Sequence, residues 1–266
     1  MLKLLFTNQL YLGLAQTAVA AMAALLVVLL ARRRGIHLEA ETLVAMVRGL
    51  AQIVAVGSVL LLLLRSPRWT GAALLVPMMI AAGATSSRRA KDIPGVFKIS
   101  TLAIAAGAGL VIAVMTLLGV IESTITSLVP VGSMLIANAM NTNGLALNRI
   151  RADVLAHTGE IETALSLGAT RNAAIAPYVQ ASYQASLIPA IDSLRSLGIV
   201  WIPGLMAGML LSGARPVYAA IYQFVVLAMI FAASGLTSLA STIMVRGNLF
   251  SAADQLQLQP GVARSG

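Results

Sequence analysis

Cysteine is missing from this 266-residue chain, lysine and histidine are scarce, and only 10% of the residues carry charge. Each shortage removes a class of chemistry. Without cysteine there is neither a disulfide framework nor a thiolate metal site. His37 and His157 are the only histidines, too few for a histidine-rich metal cage. The lysines are Lys3, Lys91 and Lys98, and none sits in G-x-x-x-x-G-K-[ST]. The chain therefore has no phosphate-binding loop, and any ATP-driven work needs a partner protein. No G-x-S-x-G occurs and neither histidine lies in an apolar run, which argues against a histidine-dependent intramembrane serine hydrolase.

What is present is apolar. Hydrophobic residues make up 59% of the chain, far above the share of a soluble domain, which places it among membrane proteins in contact with a lipid bilayer. The net charge of +9 does not point to nucleic acid, because the basic residues fall in short loops between apolar runs. A helix needs about 20 apolar residues to cross a bilayer. The pattern predicts an all-α, polytopic protein with about seven spans, near 9–31, 43–64, 70–85, 98–118, 126–148, 186–211 and 217–245. The third is short and contains Pro77. The first run, from about Leu10 to Ala31, is longer than the core of a signal peptide and reads as a span that stays. No internal repeat stands out, which weakens an inverted-repeat transporter.

Loop charges orient these spans. Arg32, Arg33, Arg34, Arg48, Arg88, Arg89, Lys91, Lys98, Arg149, Arg151, Arg171, Arg246 and Arg264 fall on one side; Lys3, Arg65, Arg68 and Arg215 fall on the other. The positive side is the cytoplasm. The expectation is a multi-pass protein of the bacterial cytoplasmic (inner) membrane, N-terminus outside and C-terminus cytoplasmic. Residues 1–245 form the transmembrane domain, and the tail 246–266 reads as disordered. The connection at about 149–185 is the long cytoplasmic segment. Within it, Ile161, Ala164, Leu165 and Gly168 keep the rhythm of one helix face. Thr158 is available as N-cap, Glu160 and Glu162 suit the positive end of the helix dipole, and Gly168 can close the helix in a left-handed conformation. A second helix, Thr170 to Gln184, is expected to be interrupted at Pro177. A cytoplasmic helix of this kind is either a grip for a motor protein or an interfacial helix lying on the bilayer.

Polar groups inside the apolar runs mark the candidate path. Asn138, Asn141 and Asn148 fall near one helix face, with Asn143 beside them, and amides in lipid need a partner helix or a water-filled route. Asp192 and Arg195 stand at i, i+3 and can pair. Pro203-Gly204 interrupts an apolar run, and broken backbone at membrane depth survives only under protein or beside a water-lined cavity. With Met206, this makes the segment the best candidate for a gate. Gly204 and Gly208 form a small-xxx-small contact. Met134, Met140, Met206 and Met209 could offer thioether ligands to a metal, or simply fill the core; the metal assignment stays unknown.

The runs Asn138-Ala-Met-Asn141, Leu145-Ala-Leu-Asn-Arg149, Glu160-Ile-Glu162, Leu167-Gly-Ala-Thr170, Pro189, Gly198-Ile-Val200, Pro203-Gly204 and Tyr222-Gln223 together resemble the FetB-like permease family of ABC transporters, linked to iron export in bacteria. The plant aluminium-tolerance permeases are similar. The resemblance is concentrated between Val129 and about Leu236. It implies a non-enzymatic permease subunit and a homodimer. ATP and Mg would be held by a separate ABC-type ATP-binding subunit, with no cofactor in this chain. Glu162-Thr-Ala164-x-x-x-Gly168 resembles the coupling motif of ABC importer permeases. By that resemblance Glu160, Glu162, Ala164, Leu167, Gly168, Ala169 and Thr170 couple to the ATPase. Asn138, Met140, Asn141, Asn143, Asp192, Pro203, Gly204, Met206 and Gln223 belong to a substrate path or gate. The family's Leu-Pro-Gly-Met-Met-Thr-Gly-Gln is Ile202-Pro-Gly-Leu-Met-Ala-Gly-Met209 here, and an asparagine common in the family is Asp192. Those departures bear on which metal ion or related small substrate is exported. Two other classes stay open: an ATP-independent secondary transporter or channel driven through Asp192, and a membrane scaffold with no transport.

Overall fold

A computed structural model describes residues 9–35, 37, 39–63, 67, 69–251 and 255–258. Lys3, Arg65, Arg68, Arg264 and the expected disordered end 259–266 lie outside the described residues. The chain falls into two compact units that divide between Ser66 and Pro67.

In the first unit, α1 (Gln9–Arg32) and α2 (Glu39–Leu63) pack on each other across a turn. Gly35 takes a positive φ of 75° there, and Arg32 pairs with Glu39 at 3.1 Å. Both helices are apolar around most of their circumference yet keep most described side chains exposed, Val27 and Ile53 among them. Such surfaces are stable in hydrocarbon and not in water.

The second unit is built on two long helices, α6 (Ile125–Ala156) and α10 (Pro216–Asn248), which pack against each other. Around them lie α3 (Trp69–Ser87), α4 (Val96–Ile104), α5 (Leu110–Leu117), α7 (Thr158–Ser166), α8 (Arg171–Ser196) and α9 (Gly204–Leu211). One apolar cluster gathers Leu75, Ile112, Leu135, Ala139, Val226 and Ile230. A second, at the other end of the long helices, gathers Ile93, Leu147, Ile150, Ile161, Ile175 and Val245. Between them runs a belt of buried small polar groups. Asn143 donates to Ser86 at 2.9 Å, Ser186 and Ser238 are 2.8 Å apart, and Ser100, Thr142, Ser234, Thr237 and Ser241 complete it. Small side chains let helix axes approach closely. The approach is tightest where α4 passes into α5 through a π-helical turn, Ala105–Gly109, since a methyl group on Gly107 would overlap Thr237.

Among the described residues, five helical stretches are long and apolar enough to cross a membrane: Tyr11–Arg32, Glu39–Val59, Trp69–Ala90, Val96–Leu117 and Pro216–Asn248. The protein is an all-α, polytopic membrane protein. The predicted span 126–148 is one continuous helix within the 32-residue α6, whose asparagines and hydroxyls dilute its hydropathy. Two expectations are revised. The predicted span 186–211 is not one helix, because α8 stops at Ser196 and α9, with 8 residues and about 12 Å of length, cannot cross alone. The predicted break at Pro177 does not occur. α8 runs through both Pro177 and Pro189, and buried Ile175 and Val179 hold it to its neighbours across the lost hydrogen bond.

The tail also differs from expectation. α10 continues to Asn248, then Leu249 and Phe250 bury, and Leu256 and Leu258 return to the same cluster with 6% and 2% of their surface exposed. The Ser251 N–H donates to the Gln255 carbonyl at 2.8 Å, and the Gln257 N–H donates to the Leu249 carbonyl at 2.8 Å. Burial of Leu249, Phe250, Leu256 and Leu258 outweighs the polar composition that surrounds them.

Candidate functional site

Two sites emerge, and one helix joins them. The first is the hairpin of α7 and α8. Only Ile161 of α7 is fully buried, locked into the cluster shared with α6, α8 and α10. Glu160, Glu162, Leu167, Gly168 and Thr170 are exposed, and Ala164 and Ala169 are half-buried. The helix ends in a Schellman motif: Ala169 N–H donates to the Ala164 carbonyl and Gly168 N–H to the Leu165 carbonyl, both at 3.0 Å, with Gly168 at φ 88°. Leu167 stands out at the tip with 84% of its surface exposed. Thr170 caps α8, its hydroxyl accepting from Ala173 N–H at 3.3 Å. The expected N-cap role of Thr158 is not observed. Its hydroxyl instead donates back to the carbonyls of Val154 and Leu155, and His157 occupies the cap position.

Tyr178 of α8 fastens the hairpin. Its phenol donates to Glu160 at 3.0 Å and its ring stacks on His157 with centroids 4.8 Å apart. Desolvation first, and then the Glu160 hydrogen bond, push its pKa above the ordinary phenol value.

The second site is a cavity of about 140 Å³. Met134 and Asn138 reach it from α6, Ala190 and Ser193 from α8, and Gln223, Leu227 and Ile230 from α10. Trp201, Pro203 and Gly204 close it from the turn that breaks the helix. That turn is sharp. Gly198 takes φ 76°, its N–H donates to the Trp201 carbonyl at 3.1 Å, and Pro203 starts α9 from an extended conformation. Gln223 is 1% exposed, and its Oε1 accepts the backbone N–H of Met206 in the first turn of α9 at 3.2 Å.

Four of the residues expected on a substrate path, Asn138, Pro203, Gly204 and Gln223, thus share one cavity wall, and Met206 touches it through Gln223. The others stand apart. Asn141 is exposed, Asn143 belongs to the hydroxyl belt with Ser86, and Asp192 is exposed and faces Arg195 at 3.8 Å. Met140 is half-buried against the core cluster and lines no part of the cavity. Trp201 and Ser193 were not singled out from sequence. Their signal was present: Ser193 shares the helix face of Ala190, and Trp201 lies inside the glycine- and proline-flanked break. Among the described residues no group of three His, Cys, Asp or Glu could hold a metal ion.

The comparisons with known proteins cover nearly the same span. The model of the uncharacterised protein family UPF0014 matches residues 14–250. The UPF0014 membrane protein STAR2 of Oryza sativa subsp. japonica is 36% identical over 91% of this chain and 84% of its own length. ALUMINUM SENSITIVE 3 of Arabidopsis thaliana is 32% identical, with 92% and 90% covered. The "Probable iron export permease protein FetB" of Escherichia coli is 32% identical, with 90% and 93% covered. No solved structure is significantly similar. With helices that suit a bilayer and a match running from α1 to the end of α10, this chain belongs to the UPF0014 family of membrane proteins.

Proposed function

We propose that this chain is the membrane-spanning permease subunit of an ATP-driven exporter, working as a homodimer with a separate ATP-binding subunit. Residues 149–185 then face the cytoplasm of a bacterial cell, and the ATPase, which holds ATP and Mg, presses on the α7–α8 hairpin. The observation that carries this reading is the continuity of α8. A single helix starts at the exposed hairpin with Thr170 and ends past Ser193 on the cavity wall. A push on the hairpin is therefore delivered to the cavity without an intervening joint. The exposed Leu167 beside Glu162 offers the apolar tip and charge that a partner groove can hold. The name of the FetB relative supports metal-linked export, while Asp192, the group an ion-driven mechanism would use, lies off the cavity.

Co-purification with a candidate ATP-binding subunit and measurement of its ATPase rate tests the assignment. Glu162→Lys lowers stimulated ATPase activity about tenfold, the size expected when a charged contact is reversed, and leaves membrane insertion intact. Full activity in that variant, or transport by the purified chain without any ATPase, would defeat the reading.

A further inference from the structure

The cavity also carries information about what it receives. Gln223 is the deciding residue. Its partner, the N–H of Met206, can only donate, so the amide must present Oε1 to it. The NH2 group is thereby left over, and Gln223 Nε2 is buried with no hydrogen-bond partner on a side chain that lines the cavity. An unpaired amide donor in such a place costs about 1–3 kcal/mol unless something in the cavity accepts from it.

A second set of donors begins at the cavity wall. α9 begins at Gly204, on the cavity wall, and the N–H groups of Gly204 and Leu205 have no intrahelical carbonyl to reach. The start of a helix carries a partial positive charge, and half-helices that begin inside a membrane characteristically aim it at anionic groups. No charged group on the wall opposes this: the lining has no carboxylate and no imidazole, while Asn138 Nδ2 and the Ser193 hydroxyl donate to the Met134 and Pro189 carbonyls, each at 2.8 Å. A bare metal dication would find only neutral groups, without the anionic or imidazole ligands that hard and borderline cations require.

We infer that this cavity binds the oxyanion of its substrate, a carboxylate or phosphate group, on Gln223 Nε2 and the first amides of α9. Any metal that this protein moves then enters as an oxygen-rich complex rather than as a bare ion. The size agrees: a cavity near 150 Å³ accommodates a benzene-sized body, so a group of a few heavy atoms fits. The inference deepens the permease reading and rests on it for the word substrate, but the binding itself requires no ATPase.

Trp201 supplies the readout. In full-length chain carrying Trp69→Phe, which removes the only other tryptophan, Trp201 fluorescence is titrated in lipid nanodiscs with malonate, with inorganic phosphate and with ferrous chloride. The expected result is a saturable change with malonate or phosphate and none with ferrous chloride alone. Gln223→Glu keeps an oxygen for the Met206 N–H but replaces the donor with an anion. It should weaken oxyanion binding by about tenfold or more; because a buried carboxylate also costs stability, Gln223→Met, which removes the donor without adding charge, serves as the second variant and should weaken binding likewise. Saturable binding of ferrous ion with no response to either oxyanion would overturn the inference, as would equal oxyanion binding by wild type and Gln223→Glu. If malonate or phosphate binds but no ATP-binding subunit co-purifies with the chain or is stimulated by it, the permease reading fails and the site stands.

Discussion

Tyr178 and Glu160 tie the two arms of the hairpin together: the phenol on α8 donates to the carboxylate on α7 at 3.0 Å, above a stack of Tyr178 on His157. It is a polar link between α7 and the helix that reaches the cavity. Tyr178→Phe keeps the stack and removes the link. Because the pair is partly solvated, the loss should be about 1 kcal/mol or less. The measurable consequence is faster amide exchange across 158–166 with little change in overall melting temperature.

The same tyrosine gives a pH dependence. Its folded pKa is raised above 10.0, so the folded protein holds this proton more tightly than the unfolded chain. The contribution to stability is complete below pH 10 and is lost as pH rises through the folded value. Absorbance of tyrosinate, compared between wild type and Tyr178→Phe, should show that the variant loses a phenol titrating above the ordinary phenol value. Identical titration curves after scaling for tyrosine count would contradict this.

Gly168 sits at φ 88° with open space around its α-carbon. Nothing would clash with a methyl group there, so Gly168→Ala should act only through backbone strain, about 1–2 kcal/mol. Gly168→Pro goes further, because it also deletes the N–H that bonds the Leu165 carbonyl. Membrane insertion should be unaffected in both. ATPase stimulation should fall modestly with alanine and be abolished with proline, and normal transport by the proline variant would defeat the coupling role.

Gly107 poses the opposite case, a helical glycine with no room. A side chain would meet Thr237, its α-carbon at 2.7 Å as well as its hydroxyl. Gly107→Ala should destabilise by about 1–3 kcal/mol, read as a lower melting temperature in detergent. Since backbone atoms lie in the way, Thr237→Ala should fail to rescue it.

Removing the chain after Ser251 deletes the returning Leu256 and Leu258. Each buried leucine contributes about 1.5–3 kcal/mol as an upper estimate, and the loss falls on the cluster that also holds Ile161 and Ile175. Proteolysis between α7 and α8 should accelerate, while the cavity end of the molecule keeps its protection. Unchanged cleavage would show that the tail is not part of this packing.

Much of the architecture was legible from residues that impose geometry by themselves. Gly168 could be read as a left-handed terminator and Pro203-Gly204 as a break, because both act through their own backbone. Asn138 pointed to the cavity because an amide in an apolar run needs company, and Gln223 through the family resemblance. Pro177 misled, since its effect depends on neighbours: Ile175 and Val179 are packed on distant helices, and no local pattern reveals that support. The tail misled for the same reason. Leu249, Phe250, Leu256 and Leu258 are too few and too irregularly spaced to predict burial, and only the groove that receives them makes them a unit.

The uninterrupted course of α8 makes it a lever with a definable fulcrum. Ser186, hydrogen-bonded to Ser238 at 2.8 Å, is a point at which α8 is tied to α10. From that point the arm to Arg171 is about 22 Å and the arm to Ser193 about 10 Å, at the rise of an α-helix. A tilt about this point moves Ser193 opposite to the hairpin and about half as far. Inward pressure on the hairpin thus becomes a smaller, reversed displacement at the cavity wall, the direction in which closing one end of a path opens the other.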